Sequence, residues 1–281
     1  MIRTIHSEAI TDLVEKLCIE ANCYLSDDIY TCLGQCCLTE KSALGRDILN
    51  TLIENAGIAR AGTDPICQDT GITVVFVTIG QDIHIEGSFL EDAINEGVRR
   101  GYEKGYLRKS VVSDPINRVN TKDNTPAVIH YEFVEGDKFN IVVAPKGFGS
   151  ENMSQVKMLK PSQGVQGVKD FIINTVSEAG ANPCPPIIVG VGIGGTIEKS
   201  VYLSKKALLR PVNEKNTDAG LAALEAELLA SINALGIGPA GFGGSTTALA
   251  VNILTYATHI AGLPVSVNIG CHATRHTDGS L

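Results

Sequence analysis

The stretch Pro65-Ile-Cys-Gln-Asp-Thr-Gly71 leads directly into the apolar run Ile72-Thr-Val-Val-Phe-Val-Thr-Ile79. A turn with proline, aspartate and glycine that opens onto β-branched and aromatic residues predicts a buried strand beginning just after Gly71. The cysteine at position 67 therefore lies in the turn that precedes a sheet strand, and not on an apolar face. A thiol in such a turn has backbone N–H groups and open space beside its sulfur.

Two further cysteines stand alone in turns next to predicted strands. Cys184 lies in Asn182-Pro-Cys-Pro-Pro186 and Cys271 in Gly270-Cys-His-Ala-Thr-Arg-His276. Thiolate ligands of iron need room and hydrogen bonds to the sulfur, and these turns offer both. A lone cysteine is also a common small buried hydrophobe, and the spacing of the three matches no local cluster motif. The residues alone leave both interpretations open.

Elsewhere the pattern of apolar residues predicts mixed helices and strands without strict alternation, which favours an α+β (mixed α/β) fold. The predicted helices cover residues 7–24, 42–58, 91–104, 164–179, 196–209 and 214–235, the last being the longest, with another from a glycine turn at 236–244 through 256. The predicted strands cover residues 72–79, 187–193 and 263–269, with a hairpin of 127–134 and 139–144 around Gly136-Asp137, a turn at 62–65 and a polar loop at 113–126.

Composition excludes several classes of protein. The 281 residues are 44% hydrophobic and 19% charged, with a net charge of −8 and no basic block that would suit nucleic acid. The N-terminus has no apolar signal region, and no segment reaches the roughly 18 apolar residues of a membrane span, so a cytoplasmic protein is expected. In that compartment eight cysteines indicate metal binding, catalysis or packing before disulfides.

Six regions of the chain, taken in order, resemble the class I (iron–sulfur) fumarate hydratase/L-tartrate dehydratase α-subunit family. The resemblance runs from about residue 10 to the C-terminus. It is carried by Cys67-Gln-Asp-Thr-Gly71, Leu107-Arg-Lys-Ser-Val-Val112 with Asp114-Pro115, Asn120-Thr-Lys-Asp-Asn-Thr-Pro126, Gly149-Ser-Glu-Asn152, Asn182-Pro-Cys-Pro-Pro186 and Gly270-Cys-His-Ala273.

The resemblance implies a single catalytic domain over residues 1–281 that binds a [4Fe–4S] cluster through the thiolates of Cys67, Cys184 and Cys271. Three protein ligands leave one iron open as a Lewis acid. The implied activity is that of a hydro-lyase (EC 4.2.1), either reversible hydration of fumarate to (S)-malate or dehydration of L-tartrate. The chain itself does not separate the two, and fumarate is preferred because its hydration belongs to the tricarboxylic acid cycle and is the commoner function.

Two interpretations from other classes stay open. An iron–sulfur scaffold or electron carrier would use four protein ligands and a one-electron couple. A nucleotide-binding oxidoreductase could be built on Gly190-Val-Gly-Ile-Gly-Gly195, which follows a predicted strand and precedes a helix. Its spacing differs from G-x-G-x-x-G, so close approach of backbone to this strand is the preferred explanation of the glycines.

The resemblance also implies roles for five residues around the substrate. Asp69 is expected to move a proton or bind substrate, although an aspartate in Asp-Thr-Gly often only caps its own turn. Gln68 and the backbone of Gly149 are expected to bind the dicarboxylate, and Arg108 to clamp a carboxylate with its two parallel donors. His259, taken as helical, corresponds by its offset from Cys271 to an active-site histidine.

The family also implies partners. The chain ends shortly after His276, where single-chain relatives continue into a domain with further cationic residues, so a separate β subunit and an α₂β₂ assembly with α–α contacts are expected. His272 flanks the cluster turn, and His276 has no assigned role. Cys32, Cys36 and Cys37 lack a partner histidine and the two-residue gap of cluster motifs, so they are interpreted as packing thiols.

Overall fold

The computed structural model describes residues 2–61 and 64–281, so part of the predicted turn at residues 62–65 lies outside the described residues. The predicted α+β class is confirmed. None of the helices in these ranges is both long enough and apolar enough to cross a bilayer. In chain order the elements are β1 (Arg3–His6), α1 (Ser7–Cys23), α2 (Asp27–Thr39), α3 (Ala43–Ala61), β2 (Ile72–Gly80), β3 (Ile83–Glu86), α4 (Leu90–Lys104), β4 (Val128–Val134), β5 (Phe139–Lys146), α5 (Phe148–Glu151), β6 (Gln155–Leu159), α6 (Gly164–Ala179), β7 (Ile187–Gly194), α7 (Ile197–Ala207), α8 (Ala219–Asn233), β8 (Ala248–Tyr256), β9 (Leu263–Gly270) and β10 (Thr277–Ser280).

The described residues form two compact units. The first contains the chain up to Leu25 together with Ala56–Phe148 and Arg275–Leu281. The second contains Ser26–Asn55 and Gly149–Thr274. Each unit has a four-stranded sheet and an apolar cluster of its own, as expected for a part of a chain that buries its own core.

The first unit is built on a sheet with strand order β10-β5-β2-β4. One face of β2, including Val75 and Val77, belongs to the same buried cluster as apolar residues of α1 and α4. The two helices pack closely because glycines of α4 face α1. A methyl group added at Gly97 would lie 2.6 Å from the Thr11 carbonyl oxygen, and one at Gly101 would lie 2.7 Å from Cys18 Cβ.

Strands β4 and β5 do not form the predicted hairpin around Gly136-Asp137, so that prediction was wrong. Strand β2 lies between them, parallel to β4 and antiparallel to β5. The connection crosses the end of β2, where the Gly80 N–H donates to the Lys138 carbonyl at 2.7 Å. A methyl group at Gly80 would lie only 2.2 Å from the Gly136 oxygen. Because β2 is apolar on both faces, a central position in the sheet is favoured over an edge, where the strand would be more exposed to solvent.

The second unit has a sheet with strand order β6-β9-β7-β8. Apolar residues of α6 and α8 share one buried cluster with this sheet. Helix α7 approaches β7 at two glycines, since a methyl group at Gly190 would lie 2.1 Å from the Ser204 oxygen and one at Gly192 2.0 Å from the Ser200 oxygen. The interpretation of this glycine-rich segment as a site of close backbone approach is confirmed.

The helix predicted after the glycine turn is strand β8, so this prediction was wrong. Its first six residues are buried, and the strand pairs in parallel with β7. A short, mostly apolar run has no continuous polar face that would separate a buried strand from a buried helix. Pairing with β7 selects the strand, and the local sequence pattern carries no information about that pairing.

Helix α8 begins later than predicted. Its first residue is Ala219, because the Asp218 carboxylate accepts the Leu221 N–H at 2.9 Å and caps the helix there. The helix has 15 residues, fewer than the 19 of α3, so the prediction that it is the longest was wrong as well.

Helix α2 and four short strands lie in regions for which the sequence pattern predicts no element. Strands β1, β3, β6 and β10 have only four or five residues each, too few to show a period. Cys32, Cys36 and Cys37 are half-buried on α2, and the Cys37 thiol contacts Asn50 Oδ1 at 3.5 Å. Their assignment as packing thiols stays a prediction.

Candidate functional site

The turn that bears Cys67 is fixed in the first unit by its neighbours. The Ile66 N–H donates to the Asn22 carbonyl of α1 at 2.9 Å, and Tyr102 Oη of α4 donates to the Thr70 carbonyl at 2.7 Å. Within the turn the Asp69 N–H points at Cys67 Sγ at 3.4 Å. A backbone donor to sulfur is the interaction that stabilises a thiolate ligand. The partly exposed Cys67 therefore has both the hydrogen bond and the solvent access of a ligand.

The carboxylate of Asp69 closes this turn. Oδ1 accepts the Gly71 N–H at 3.0 Å, and Oδ2 accepts the Phe148 N–H at 2.9 Å. The capping role considered from the sequence is therefore present. Each oxygen keeps a second lone pair, so the same carboxylate retains the capacity to accept a proton or a substrate donor. Gln68 is exposed beside it, with Oε1 3.4 Å from Cys67 Sγ.

Arg275 contacts this turn, and sequence reasoning did not assign it a role. Its side chain is 4% exposed, and Nη2 donates to the Asp69 carbonyl oxygen at 2.5 Å. A buried guanidinium holds the backbone on which Asp69 and Cys67 sit. The available signal was its place four residues after Cys271 in an already quoted motif, but only the fold shows that it reaches Asp69.

Gly71 ends the turn in a conformation that only glycine adopts without strain, with φ at +74°. An added methyl group would lie 2.6 Å from the Lys146 carbonyl carbon. We expect Gly71→Ala to lower the free energy of unfolding by about 3 kcal/mol or more, from left-handed strain plus overlap. Urea unfolding of the metal-free chain measures this.

The matched control is Gly136→Ala. Gly136 has a similar φ of +83°, but nothing lies within 4 Å of an added methyl group. Its expected cost is only the ~1–2 kcal/mol of the left-handed backbone. Equal costs at the two positions would show that the contact with Lys146 does not constrain the turn.

Arg108 lies next to this turn and is exposed. Its carbonyl accepts Thr70 Oγ1 at 2.9 Å, which ties the backbone at Arg108 to the residue that follows Asp69. The polar loop after it is fixed by Asn124, which accepts the Ser110 N–H at 2.8 Å and donates to the Gly71 carbonyl at 3.2 Å. Burial opposes ionisation of Asp123, but hydrogen bonds from Thr125 and Arg99 outweigh it and lower the pKa of that carboxyl.

In the second unit the structure brings together the turns of Cys184 and Cys271. The His272 N–H and Nδ1 lie 3.4 and 3.0 Å from the Cys184 carbonyl oxygen. Cys184 has φ at +55°, an uncommon value for a residue with a side chain. Its carbonyl and thiol are therefore presented by a constrained turn that His272 connects to the neighbouring ligand candidate.

Gly149 is exposed and lies against the same cysteine turn, since a methyl group added there would be 3.6 Å from the Asn182 oxygen. His259 is not helical, so that prediction was wrong. It is exposed in the segment after β8, and its Nδ1 accepts the Ala261 N–H at 3.1 Å. Acceptance at Nδ1 leaves the proton of the neutral ring on Nε2.

All eight cysteines lie in the described part of the chain, and each is a thiol. Cys67, Cys184 and Cys271 are at least partly exposed, whereas Cys18 is fully buried, and burial raises the pKa of its thiol. Within residues 2–61 and 64–281, no three Cys, His, Asp or Glu side chains are gathered into a ready metal site. The exposure of these three thiols and the Asp69 N–H directed at Cys67 Sγ fit thiolate ligation of a cluster, and the ligand set stays a prediction.

Comparison with known proteins finds relatives over nearly the whole chain. The model of a family described as fumarate hydratase (Fumerase) matches residues 11–280. The chain is 44% identical over 272 residues to a protein of Methanocaldococcus jannaschii named "Putative L(+)-tartrate dehydratase subunit alpha", with 95% of each chain covered. It is 33% identical over 276 residues to the L(+)-tartrate dehydratase subunit alpha of Escherichia coli and to that of Shigella sonnei, covering 97% of this chain and 90% of each relative.

Proposed function

This chain belongs to the class I iron–sulfur fumarate hydratase/tartrate dehydratase α family, and on that premise we propose that it is the α subunit of an L(+)-tartrate dehydratase. Membership makes it an α subunit of a hydro-lyase. The observation that supports tartrate as the substrate is the name shared by the relatives, one of which is 44% identical over 95% of both chains. The earlier preference for fumarate rested only on how common that activity is, and the relatives favour tartrate instead.

The reaction is the loss of water from a dihydroxy dicarboxylate. A C–O bond breaks at one carbon, a proton leaves the neighbouring carbon, and the resulting enol rearranges to oxaloacetate. Cys67, Cys184 and Cys271 are the residues that would hold a [4Fe–4S] cluster, each through its Sγ. When bound, such a cluster supplies a Lewis-acidic iron that polarises a substrate oxygen.

The protein's own residues orient the substrate and move its protons. Arg108 offers two parallel N–H donors to one carboxylate, and Gln68 and the Gly149 backbone offer single donors. Asp69 has lone pairs left on both carboxylate oxygens and is the proposed base. His259, with its proton on Nε2, is the proposed donor to the departing hydroxyl. Arg275 and Thr70 hold the turn on which this carboxylate and Cys67 depend.

The partner is a β subunit on a separate chain. We propose that residues 1–281 act as one catalytic domain, that α–α contacts join two copies, and that two β subunits complete an α₂β₂ enzyme. The names of the relatives as α subunits support a second chain type. The oligomer follows from the family resemblance.

The test is an anaerobic assay of the complex of this chain with its β subunit. We expect oxaloacetate to form from L(+)-tartrate, one water being lost per substrate. Formation of (S)-malate from fumarate with no oxaloacetate from tartrate would return the assignment to fumarate hydratase. Turnover of neither substrate by a complex with a full cluster would reject the hydro-lyase proposal for these substrates.

Arg108→Lys in the complex tests the carboxylate clamp. Lysine keeps the charge but loses the planar pair of donors, so KM should rise roughly tenfold while kcat changes little. Arg118→Lys is the control, since Arg118 lies in the polar loop that follows Arg108 and has no proposed contact with substrate. A change confined to kcat, or an equal effect of both substitutions, would place the clamp elsewhere.

A further inference from the structure

Glu40 is a buried carboxylate that the proposed reaction does not use. It follows α2 directly and is 2% exposed. Its oxygens accept the Ser42 N–H at 2.9 Å, the Ser245 N–H at 2.8 and 3.0 Å, and Ser245 Oγ at 3.1 Å. Burial opposes ionisation, but these donors outweigh it and hold the pKa of Glu40 at about 2. The side chain is therefore an anion that binds two distant segments of the second unit together.

Two glycines lie so close to the Glu40 side chain that neither position has room for a larger residue. Gly244 has φ at +139°, and a methyl group there would lie 2.7 Å from Glu40 Oε1. A methyl group at Gly45 would lie 3.0 Å from Glu40 Cγ. Two glycines thus give the carboxylate room, and backbone N–H groups fill its lone pairs. This is an anchor for the glycine-rich loop at residues 236–247, with Ser245 as its attachment point.

The other part of this loop contacts the turn of Cys184. The Ala240 N–H donates to the Pro185 carbonyl at 2.8 Å, and a methyl group at Gly241 would lie 2.3 Å from Ala181 Cβ. Between the two contacts the loop is closed on itself, since the Gly243 N–H donates to the Ile237 carbonyl at 2.8 Å. The loop therefore connects Ser245 to residues on both sides of Cys184.

We propose that Glu40 is a positioning residue for the ligand Cys184, acting through the loop at residues 236–247. Cys184 and Ala240 both have positive φ, at +55° and +51°. Residues with side chains persist in this conformation only where the surroundings impose it. Glu40 supplies that constraint from outside the site. The inference rests on the proposed function, because it takes Cys184 as a cluster ligand.

The experiment compares Glu40→Gln with Glu225→Gln in the two-subunit enzyme. Glu225 is also buried in the second unit, and Oε1 accepts the Ile253 N–H and pairs with Arg210, both at 2.7 Å. It has no described bond to the loop at residues 236–247. The measurement is the rate at which iron is released to an excess of the chelator EDTA under argon. We expect release about tenfold faster from Glu40→Gln than from Glu225→Gln, since losing one charge-assisted hydrogen bond is an effect of that size.

A second readout does not need the cluster. In the metal-free chain, labelling of Cys184 by iodoacetamide, followed by peptide mass spectrometry, should be several-fold faster in Glu40→Gln, while labelling of Cys67 is unchanged. Ser245→Ala, which keeps the Ser245 N–H bonds, serves where Glu40→Gln does not fold, and it should give a smaller change in the same direction.

The outcomes separate the two proposals. If the unsubstituted enzyme holds no iron, the proposed function fails. If it holds iron and both variants release it equally fast, with Cys184 labelled as in the unsubstituted chain, the positioning role of Glu40 is overturned while the function stands.

Discussion

Purified without its β subunit, this chain is expected to dehydrate L(+)-tartrate at least roughly 10³-fold more slowly than the two-subunit complex. Tartrate is a dianion, and catalysis requires both carboxylates to be held in place, because orientation contributes about 7–11 kcal/mol to lowering such barriers. The chain has a net charge of −8, and Arg108 is its proposed clamp. One cation can hold one carboxylate only.

Several other cations of the described residues are already engaged. Arg100 pairs with Glu8 at 2.9 Å, Arg210 with Glu225 at 2.7 Å, and Lys205 with Glu151. Arg275 donates to the backbone of Asp69. A second chain is the simplest source of the missing positive charge.

The measurement is anaerobic turnover of the chain before and after addition of the β subunit. The control is the β subunit mixed with Cys184→Ser, which should stay inactive. Turnover by the isolated chain at a rate comparable to that of the complex would refute the need for a second subunit.

Substitution of serine for Cys67, Cys184 or Cys271 is expected to remove the cluster altogether. Three thiolates are the minimum set for a site with one open iron, so no spare ligand can replace a lost one. The intact chain, reconstituted without oxygen, should hold about four irons, and each variant less than about one tenth of that. Activity of the complex should fall to background in all three.

Cys37→Ser is the matched control. Cys37 is a half-buried thiol on α2 whose recorded contact is Asn50 Oδ1, so iron content and activity should not change. Iron is measured by colorimetric assay together with the visible absorption of the cluster. Full iron loading in any two of the three single variants would show that the ligand set is wrong.

The sequence predicts the fold correctly where the conformation of a residue is determined by its neighbours in the chain. Gly71 and Cys67 are placed correctly because proline, aspartate and glycine mark the turn, and the β-branched and aromatic residues after it favour a strand over a helix. The glycines of β7 are also explained correctly, since Gly190 and Gly192 admit the backbone of α7. The family resemblance carried by six segments is confirmed.

The wrong predictions concern segments whose structure depends on pairing with strands that are distant in the sequence. The apolar residues of β8 suit a helix or a strand equally, and pairing with β7 selects the strand. Strands β4 and β5 are joined by a turn typical of a hairpin, yet β2 takes the place between them. Because the β8 region forms a strand, His259 lies in an exposed segment after β8 and not in the expected helix.

The same distinction applies to the candidate site. The thiols of Cys67, Cys184 and Cys271 are visible in the sequence as cysteines in turns. The residues that hold those turns are not, because Arg275 reaches Asp69 across 206 residues, and Glu40 reaches Ser245 across 205 residues. Contacts of such separation leave no periodic or local signal.

The substrate preference of the complex tests the central claim most directly. In one anaerobic experiment, kcat/KM is measured for L(+)-tartrate and for (S)-malate, which lacks one hydroxyl and would yield fumarate. A site built to bind both hydroxyls rejects a substrate missing one of them, so tartrate should be favoured by about 10²-fold or more. A ratio that favours (S)-malate would contradict the account and identify the enzyme as a fumarate hydratase.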